Sequence, residues 1–221
     1  MNTQTEYHEQ AEALCETGRI FWRRGWSLGT SSNYSVVLQR SPLEMLITAS
    51  GKDKRVLRAD DILTVGPDGE VVETSPDRPS AETRLHLAIA RIRGAGAVFH
   101  THSIWSTILS DMHAGAGGVS ICGYEMLKGL HGVTTHEHRE WIPVLENDQD
   151  MARLAGLLED VLVQHEAAHA ILLRRHGLYT WGATLGDAER HVEILEFLFE
   201  TLCRTNIYQL EVPNGAREDS R

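Results

Sequence analysis

The sequence predicts a single α/β domain in which a central, mostly antiparallel sheet is flanked by helices. Three observations predict it. Apolar residues at helical spacing open and close the chain. Short β-branched runs separated by tight-turn residues follow the opening helix. Beyond Pro79, helical and strand patterns alternate with no repeat, linker or low-complexity block.

The stretch from about Thr5 to Arg24 reads as a helix, with Ala11, Leu14, Cys15, Gly18, Phe21 and Trp22 along one side. Gly25 and Gly29 break that pattern. Ser31 to Gln39 and Glu44 to Ser50 read as strands. Asp61 to Val65 and Glu70 to Thr74 flank Gly66-Pro67-Asp68-Gly69, a hairpin signal. Pro79-Ser80-Ala81-Glu82 opens the next helix, with Ser80 as its natural N-cap and Leu85, Leu87, Ile89 and Ile92 as apolar surface. Gly94 and Gly96 end it. Ala97 to His102 reads as a strand, and Ser103 caps a helix through about Ser110. Ala114 to Gly118 reads as a loop and Tyr124 to Leu130 as one or two helical turns. Trp141 to Leu145 is a strand candidate and Asp148 to Gln164 a helix. Ala170 to Leu173 is a further strand, and Leu178 to Trp181 extend beyond His176. The last helix starts near Thr184 and Asp187, with Ala188, Val192, Leu195, Leu198, Phe199 and Leu202 at helical spacing. Residues 1–212 are expected to form the domain and 213–221 a polar tail.

A chain of 221 residues buries a real core without disulfide staples. Its net charge of -10 gives no electrostatic footprint for nucleic acid. The 3 cysteines form no CxxC pair, and an odd count argues against a disulfide framework. The N-terminus has no apolar signal core, and no apolar run approaches the ~18 residues that span a bilayer. A cytoplasmic location with no membrane partner is the expectation.

His100 and His102 are two apart in a predicted strand, so both imidazoles leave one face and can reach one metal ion. His176 is the best third ligand, because it follows an apolar strand and precedes Gly177, which permits a tight turn. Three histidines with an open position describe a catalytic zinc site, able to polarise a carbonyl and stabilise an enolate. Such chemistry needs a carboxylate to move protons. Glu82 and Glu125 are the candidates. Glu82 lies in the first turn of a helix, where stabilising the helix dipole is the plainer role. Glu125 lies in the mostly apolar Gly123-Tyr124-Glu125-Met126-Leu127, where desolvation should raise its pKa. Its plainer role is a helix-surface charge. His136 and His138 share the spacing of two but lie in a charged segment and read as a solvated loop. His86, His165, His169 and His191 fall in helical patterns without partners and read as surface or structural residues.

Gly29-Thr30-Ser31-Ser32-Asn33 and Thr48-Ala49-Ser50-Gly51-Lys52 are small, polar and flexible. Their N–H groups and hydroxyls can cradle a phosphate, with Ser80 joining them and Lys52 adding charge. Neither segment is a P-loop, so nucleotide hydrolysis has no support.

Taken in order, Gly29 to Asn33, Ser50-Gly51, Pro79 to Glu82, His100-Thr101-His102 and His176-Gly177 resemble the class II aldolase/adducin superfamily, from about Glu6 to Tyr208. The resemblance implies its α/β fold and a sugar-phosphate substrate. Within the superfamily, Gly94 to Ser103, Gly123 to Gly129 and Arg174 to Gly182 look like the family of methylthioribulose-1-phosphate dehydratases, enzymes of methionine salvage. That likeness implies one zinc per subunit on His100, His102 and His176, with Glu125 as catalytic acid/base. Glu82 matches the acid/base position of the sugar-phosphate aldolases, where some dehydratases carry a non-acidic residue. By the same analogy Ser32, Asn33, Ser50, Gly51 and Ser80 line the phosphate site. Ala81 departs from the aldolase pattern, which often has a serine there. A homotetramer is expected, as is common in the superfamily. The rival readings are an aldolase or 4-epimerase on the same scaffold, and a non-catalytic scaffold like the adducin head.

Overall fold

The computed structural model describes residues 3–211. Helix α1 (Thr3–Arg23) is followed by β1 (Asn33–Arg40), β2 (Leu43–Thr48) and β3 (Ile62–Val65). Next come α2 (Thr83–Arg93), β4 (Ala97–Thr101), α3 (Ile104–Met112) and β5 (Gly118–Ile121). The chain continues through β6 (Glu140–Leu145), α4 (Met151–Gln164), β7 (Ala170–Leu173), β8 (Gly177–Gly182) and α5 (Leu185–Glu211). The helical turns expected after Tyr124 form a 3-10 turn, Glu125–Gly129. The strands make one sheet in the order β3-β2-β1-β4-β8-β7-β6-β5. Each neighbouring pair is antiparallel except β6 with β7, where α4 supplies the crossover that a parallel pair needs.

Alternation along the strands builds two apolar layers. On β4, Ala97 and Phe99 pack with Leu14 and Phe21 of α1 and Val192 of α5. Leu109 of α3 and Phe199 of α5 join Leu172 and Leu178 on the same side of the sheet. Val98 faces the other way, against Leu85 and Ile89 of α2 and Leu154 and Leu158 of α4. Helices α1, α3 and α5 therefore cover one face, and α2 and α4 the other. Phe21, Tyr34 and Phe99 meet edge to face at 5.5 to 5.8 Å, each contact adding about 0.5–1.5 kcal/mol beyond area burial.

The helix ends follow their caps. Ser103 accepts the N–H of Ser106 at 3.0 Å, and Asp150 accepts those of Ala152 and Arg153 at 3.1 Å. Each such cap contributes about 1 kcal/mol. Gly94 ends α2 in the left-handed region at φ 59°.

Three elements differ from expectation. Glu70 to Thr74 is not a strand, for only the isolated bridge between Val65 and Val71 forms. Val72 is 53% exposed, so this arm has little apolar face to bury. Helix α2 begins at Thr83 rather than around Ser80. The Ser80 hydroxyl accepts from the N–H of Glu82 and from Asn33 Nδ2, each at 3.2 Å, within a turn that precedes the helix. Strand β5 was not foreseen. Its four residues open with Gly118, which lies so close to Trp141 that a Cβ would meet the indole Cζ2 at 2.4 Å. The expected polar tail after Pro213 lies outside the described residues. Among the described residues no helix is long and apolar enough to cross a membrane.

Candidate active site

A row of cross-strand neighbours forms the floor of the site. Asn33 on β1 pairs with His100 on β4, and His100 pairs with Tyr179 on β8. The fully buried His100 ring stacks on Tyr179 at 4.0 Å and 15°. Its Nδ1 donates to the carbonyl of Leu178 at 2.9 Å, which leaves the Nε2 lone pair free to coordinate. His102 lies one residue beyond β4, not within it, and its N–H donates to the carbonyl of Trp26 at 2.8 Å. Its Nε2 is 2.6 Å from His100 Nε2.

His176 arrives on the turn between β7 and β8, with Nε2 3.3 Å from His100 Nε2. That turn is pinned by Asp111 at the end of α3, which pairs with Arg174 at 2.8 Å and Arg175 at 2.9 Å. Gly177 lets β8 approach β4. A Cβ there would sit 2.0 Å from the carbonyl oxygen of Thr101. One ring nitrogen from each of His100, His102 and His176 lies within 4.8 Å of the others. Burial holds all three imidazoles below their ordinary pKa, and neighbouring imidazoles add to this at His100 and His102.

Glu82 faces this group from the N-cap of α2. Its Oε1 is 3.2 Å from His176 Nε2 and its Oε2 3.6 Å from His100 Nε2. Asn33 Nδ2 donates to Glu82 Oε2 at 2.6 Å. The donor set fits a divalent cation: neutral imidazoles with their lone pairs available, one of them backed by a carbonyl, and a carboxylate nearby.

A cavity of about 390 Å³ opens over these residues. Ser32, Asn33, Ser50, Gly51 and Ser80 line it together with Glu82, His102 and His176. Ser32 and Gly51 take left-handed backbone at φ 70° and 74°, which turns successive N–H groups as anion-binding nests do. Asn147, Gln149 and Met151, from the segment leading into α4, also line it. No spacing or composition singled them out, because only the fold brings that segment here.

Two expected participants stand elsewhere. Lys52 does not line the cavity; its Nζ is held by Asp61 at 2.9 Å and Asp77 at 2.7 Å. Bonds to those two carboxylates raise its pKa. Glu125 does not line the cavity of its own chain either, and it is not desolvated. Its side chain is 71% exposed and pairs with Lys128, with His136 Nδ1 3.8 Å away. The bond to Lys128 lowers its pKa, where an apolar setting would have raised it. The apolar residues around it, Tyr124, Met126 and Leu127, pack into the core against α5, and the carboxylate is left in solvent.

His86 was missed. It is fully buried, and its Nε2 donates to Asn33 Oδ1 while Ser35 Oγ bonds its Nδ1 at 2.7 Å. Burial pushes its pKa down to about 4. A hydrogen-bonded chain therefore runs from Ser35 through His86 and Asn33 to Glu82. The available signal was its position four residues after Glu82, on the same helix face. The histidines read as solvated or partnerless also need revision. His138 is half-buried against Glu140 and His169 lies between α4 and β7 rather than in a helix, whereas His191 is a buried, hydrogen-bonded residue of α5, in keeping with a structural role.

The sequence model of the class II aldolase and adducin N-terminal domain matches residues 12–203. The methylthioribulose-1-phosphate dehydratase of Marinobacter nauticus is 42% identical over 197 residues, covering 89% of this chain and 93% of that protein. Its counterpart from Pseudomonas savastanoi pv. phaseolicola is 46% identical over 188 residues, covering 85% and 90%. Among solved structures, L-fuculose-1-phosphate aldolase from Thermus thermophilus superposes with a TM-score of 0.73 at 24% identity, over 93% of this chain and all of that one. At that identity the likeness speaks for the fold alone. Matched along most of its length and this similar to relatives along nearly the whole of theirs, the chain belongs to the class II aldolase and adducin family, among its methylthioribulose-1-phosphate dehydratases.

Proposed function

We propose that this chain eliminates water from 5-methylthioribulose 1-phosphate, giving 2,3-diketo-5-methylthiopentyl 1-phosphate in methionine salvage, with one zinc ion on His100, His102 and His176. The observation that carries the reading is the convergence of those imidazoles beside Glu82 at a cavity lined by small polar residues. A divalent cation held there supplies Lewis-acid polarisation of the sugar carbonyl.

The chain's own residues do the rest. Hydroxyls and N–H groups of Ser32, Ser50, Gly51 and Ser80 hold the phosphate, and Asn33 orients Glu82. Glu82 takes the proton from C3. The C4 hydroxyl leaves as water once it is protonated, and the resulting enol ketonises to the diketone. Glu125 is the acid for that departure, the role its family resemblance implies. It does not line the cavity of its own chain, so it serves the cavity of another copy, as a homotetramer allows. Burial of the imidazoles supports neutral ligands at physiological pH, which a cation requires.

The test joins metal analysis to turnover. The purified protein is expected to carry about one zinc per chain and to dehydrate methylthioribulose 1-phosphate. Glu125→Gln keeps the metal and loses turnover. Preferential cleavage of L-fuculose 1-phosphate would instead establish the aldolase reading, and a metal-free, inert protein the scaffold reading.

A further inference from the structure

A second set of ligating atoms converges outside this site. Glu140, the first residue of β6, is 1% exposed. Its Oε1 accepts the backbone N–H of His169 at 2.9 Å. Its Oε2 faces His138 Nε2 at 2.8 Å and His169 Nδ1 at 2.9 Å. These three ligating atoms lie within 4.8 Å of one another.

The surroundings fix the rings. His169 Nε2 donates to the carbonyl of His131 at 2.8 Å, so its Nδ1 is the nitrogen turned to the carboxylate. The His131 N–H in turn donates to His191 Nε2 at 3.0 Å, and His191 Nδ1 donates to the carbonyl of Trp181 at 2.7 Å. An imidazole whose far nitrogen is held by a backbone carbonyl is the usual support of a metal ligand. His100 has the same support from Leu178 in the first site. The separations match as well. The His100 pairs in the first site span 2.6 to 3.3 Å, and the pairs on Glu140 span 2.8 to 2.9 Å.

The geometry points to a second divalent-cation site on His138, Glu140 and His169. Two imidazoles and a carboxylate suit zinc, cobalt or nickel better than calcium or magnesium. With no cation bound, both nitrogens of His169 face oxygens, the Glu140 carboxylate and the His131 carbonyl. The cation replaces its Nδ1 proton, which is released to solvent, while Glu140 enters as the carboxylate. Any remaining coordination position opens toward a cavity of about 430 Å³ that His138 and His169 help to line. The site joins the entries of two paired strands: His138 and Glu140 at the start of β6, and His169 just before β7. Its role is to staple the 131–139 loop, which follows the turn bearing Glu125. This inference stands independently of the proposed reaction.

The experiment strips the full-length protein with a chelator, reloads it with zinc chloride at neutral pH, desalts it and counts bound zinc by native mass spectrometry. Wild type is expected to retain about two equivalents per chain, and His138→Ala and His100→Ala about one each. The double variant is expected to retain none, and to lose the zinc-induced rise in thermal midpoint that His100→Ala still shows. His138→Gln serves as a second variant should the alanine disturb the loop. Retention by His138→Ala and His138→Gln of as much zinc as wild type overturns the site. So does a His100→Ala protein that retains no zinc, which shows the Glu140 cluster to be held by protons alone.

Discussion

Replacing His86 with leucine tests whether the buried hydrogen-bonded chain behind the site controls the reaction. Leucine preserves bulk and removes both ring nitrogens. Asn33 Oδ1 then loses its donor while Asn33 stays 5% exposed, and an orphaned acceptor of this kind costs about 1–3 kcal/mol. Asn33 recovers a partner only by turning its amide, which takes Nδ2 off Glu82. That bond is short, at 2.6 Å, and charge-assisted, so its loss is worth about 1.5–3 kcal/mol. If the loss falls on the reacting geometry, kcat drops about 10- to 100-fold, since each 1.36 kcal/mol is a factor of ten. Ser80 loses its bond from Asn33 but keeps the N–H of Glu82, and Ser32, Ser50 and Gly51 are untouched, so KM stays within about threefold and metal content is unchanged. His86→Gln, which can still donate to Asn33, is expected to recover part of the rate. The assay is steady-state dehydration of methylthioribulose 1-phosphate alongside metal analysis and thermal unfolding. A folded, metal-loaded His86→Leu enzyme with wild-type kcat refutes the reasoning. The same residue has a pH signature. Its pKa is about 4 in the folded chain against 6.5 when exposed, so between those values the unfolded chain takes up a proton that the folded one does not. The stability this confers is whole above pH 6.5 and is lost as pH falls toward 4, by about 3 kcal/mol. Unfolding midpoints measured across that window should fall less steeply in His86→Leu.

Two further substitutions separate positioning from charge. Gly177→Ala places a Cβ against the Thr101 carbonyl between His100 and His102, and should cost at least about 1–3 kcal/mol and lower metal retention, read by thermal unfolding and metal analysis. Lys52→Ala should leave KM within about threefold, because Asp61 and Asp77 already hold the ammonium away from the cavity, while Ser50→Ala should raise KM more in the same assay.

Local pattern carried the reading wherever a residue's role depends on its neighbours in sequence. The spacing of His100 and His102, the cap at Ser103, and the apolar stripes of α1 and α5 are properties of short segments, and they hold in the fold. His176 and Gly177 were legible because a tight turn beside a strand leaves its mark in the chain itself. What the segments could not reveal is which way a side chain turns once its element is packed. The apolar residues around Glu125 bury themselves against α5 and leave the carboxylate in solvent. Lys52 is claimed by Asp61 and Asp77, respectively 9 and 25 residues further along the chain. His86 and His169 find partners only because elements distant in sequence pack together. Charge and hydrogen bonding act through space over a few ångströms, so the tertiary structure alone decided these roles, while backbone periodicity had already determined the elements that carry them.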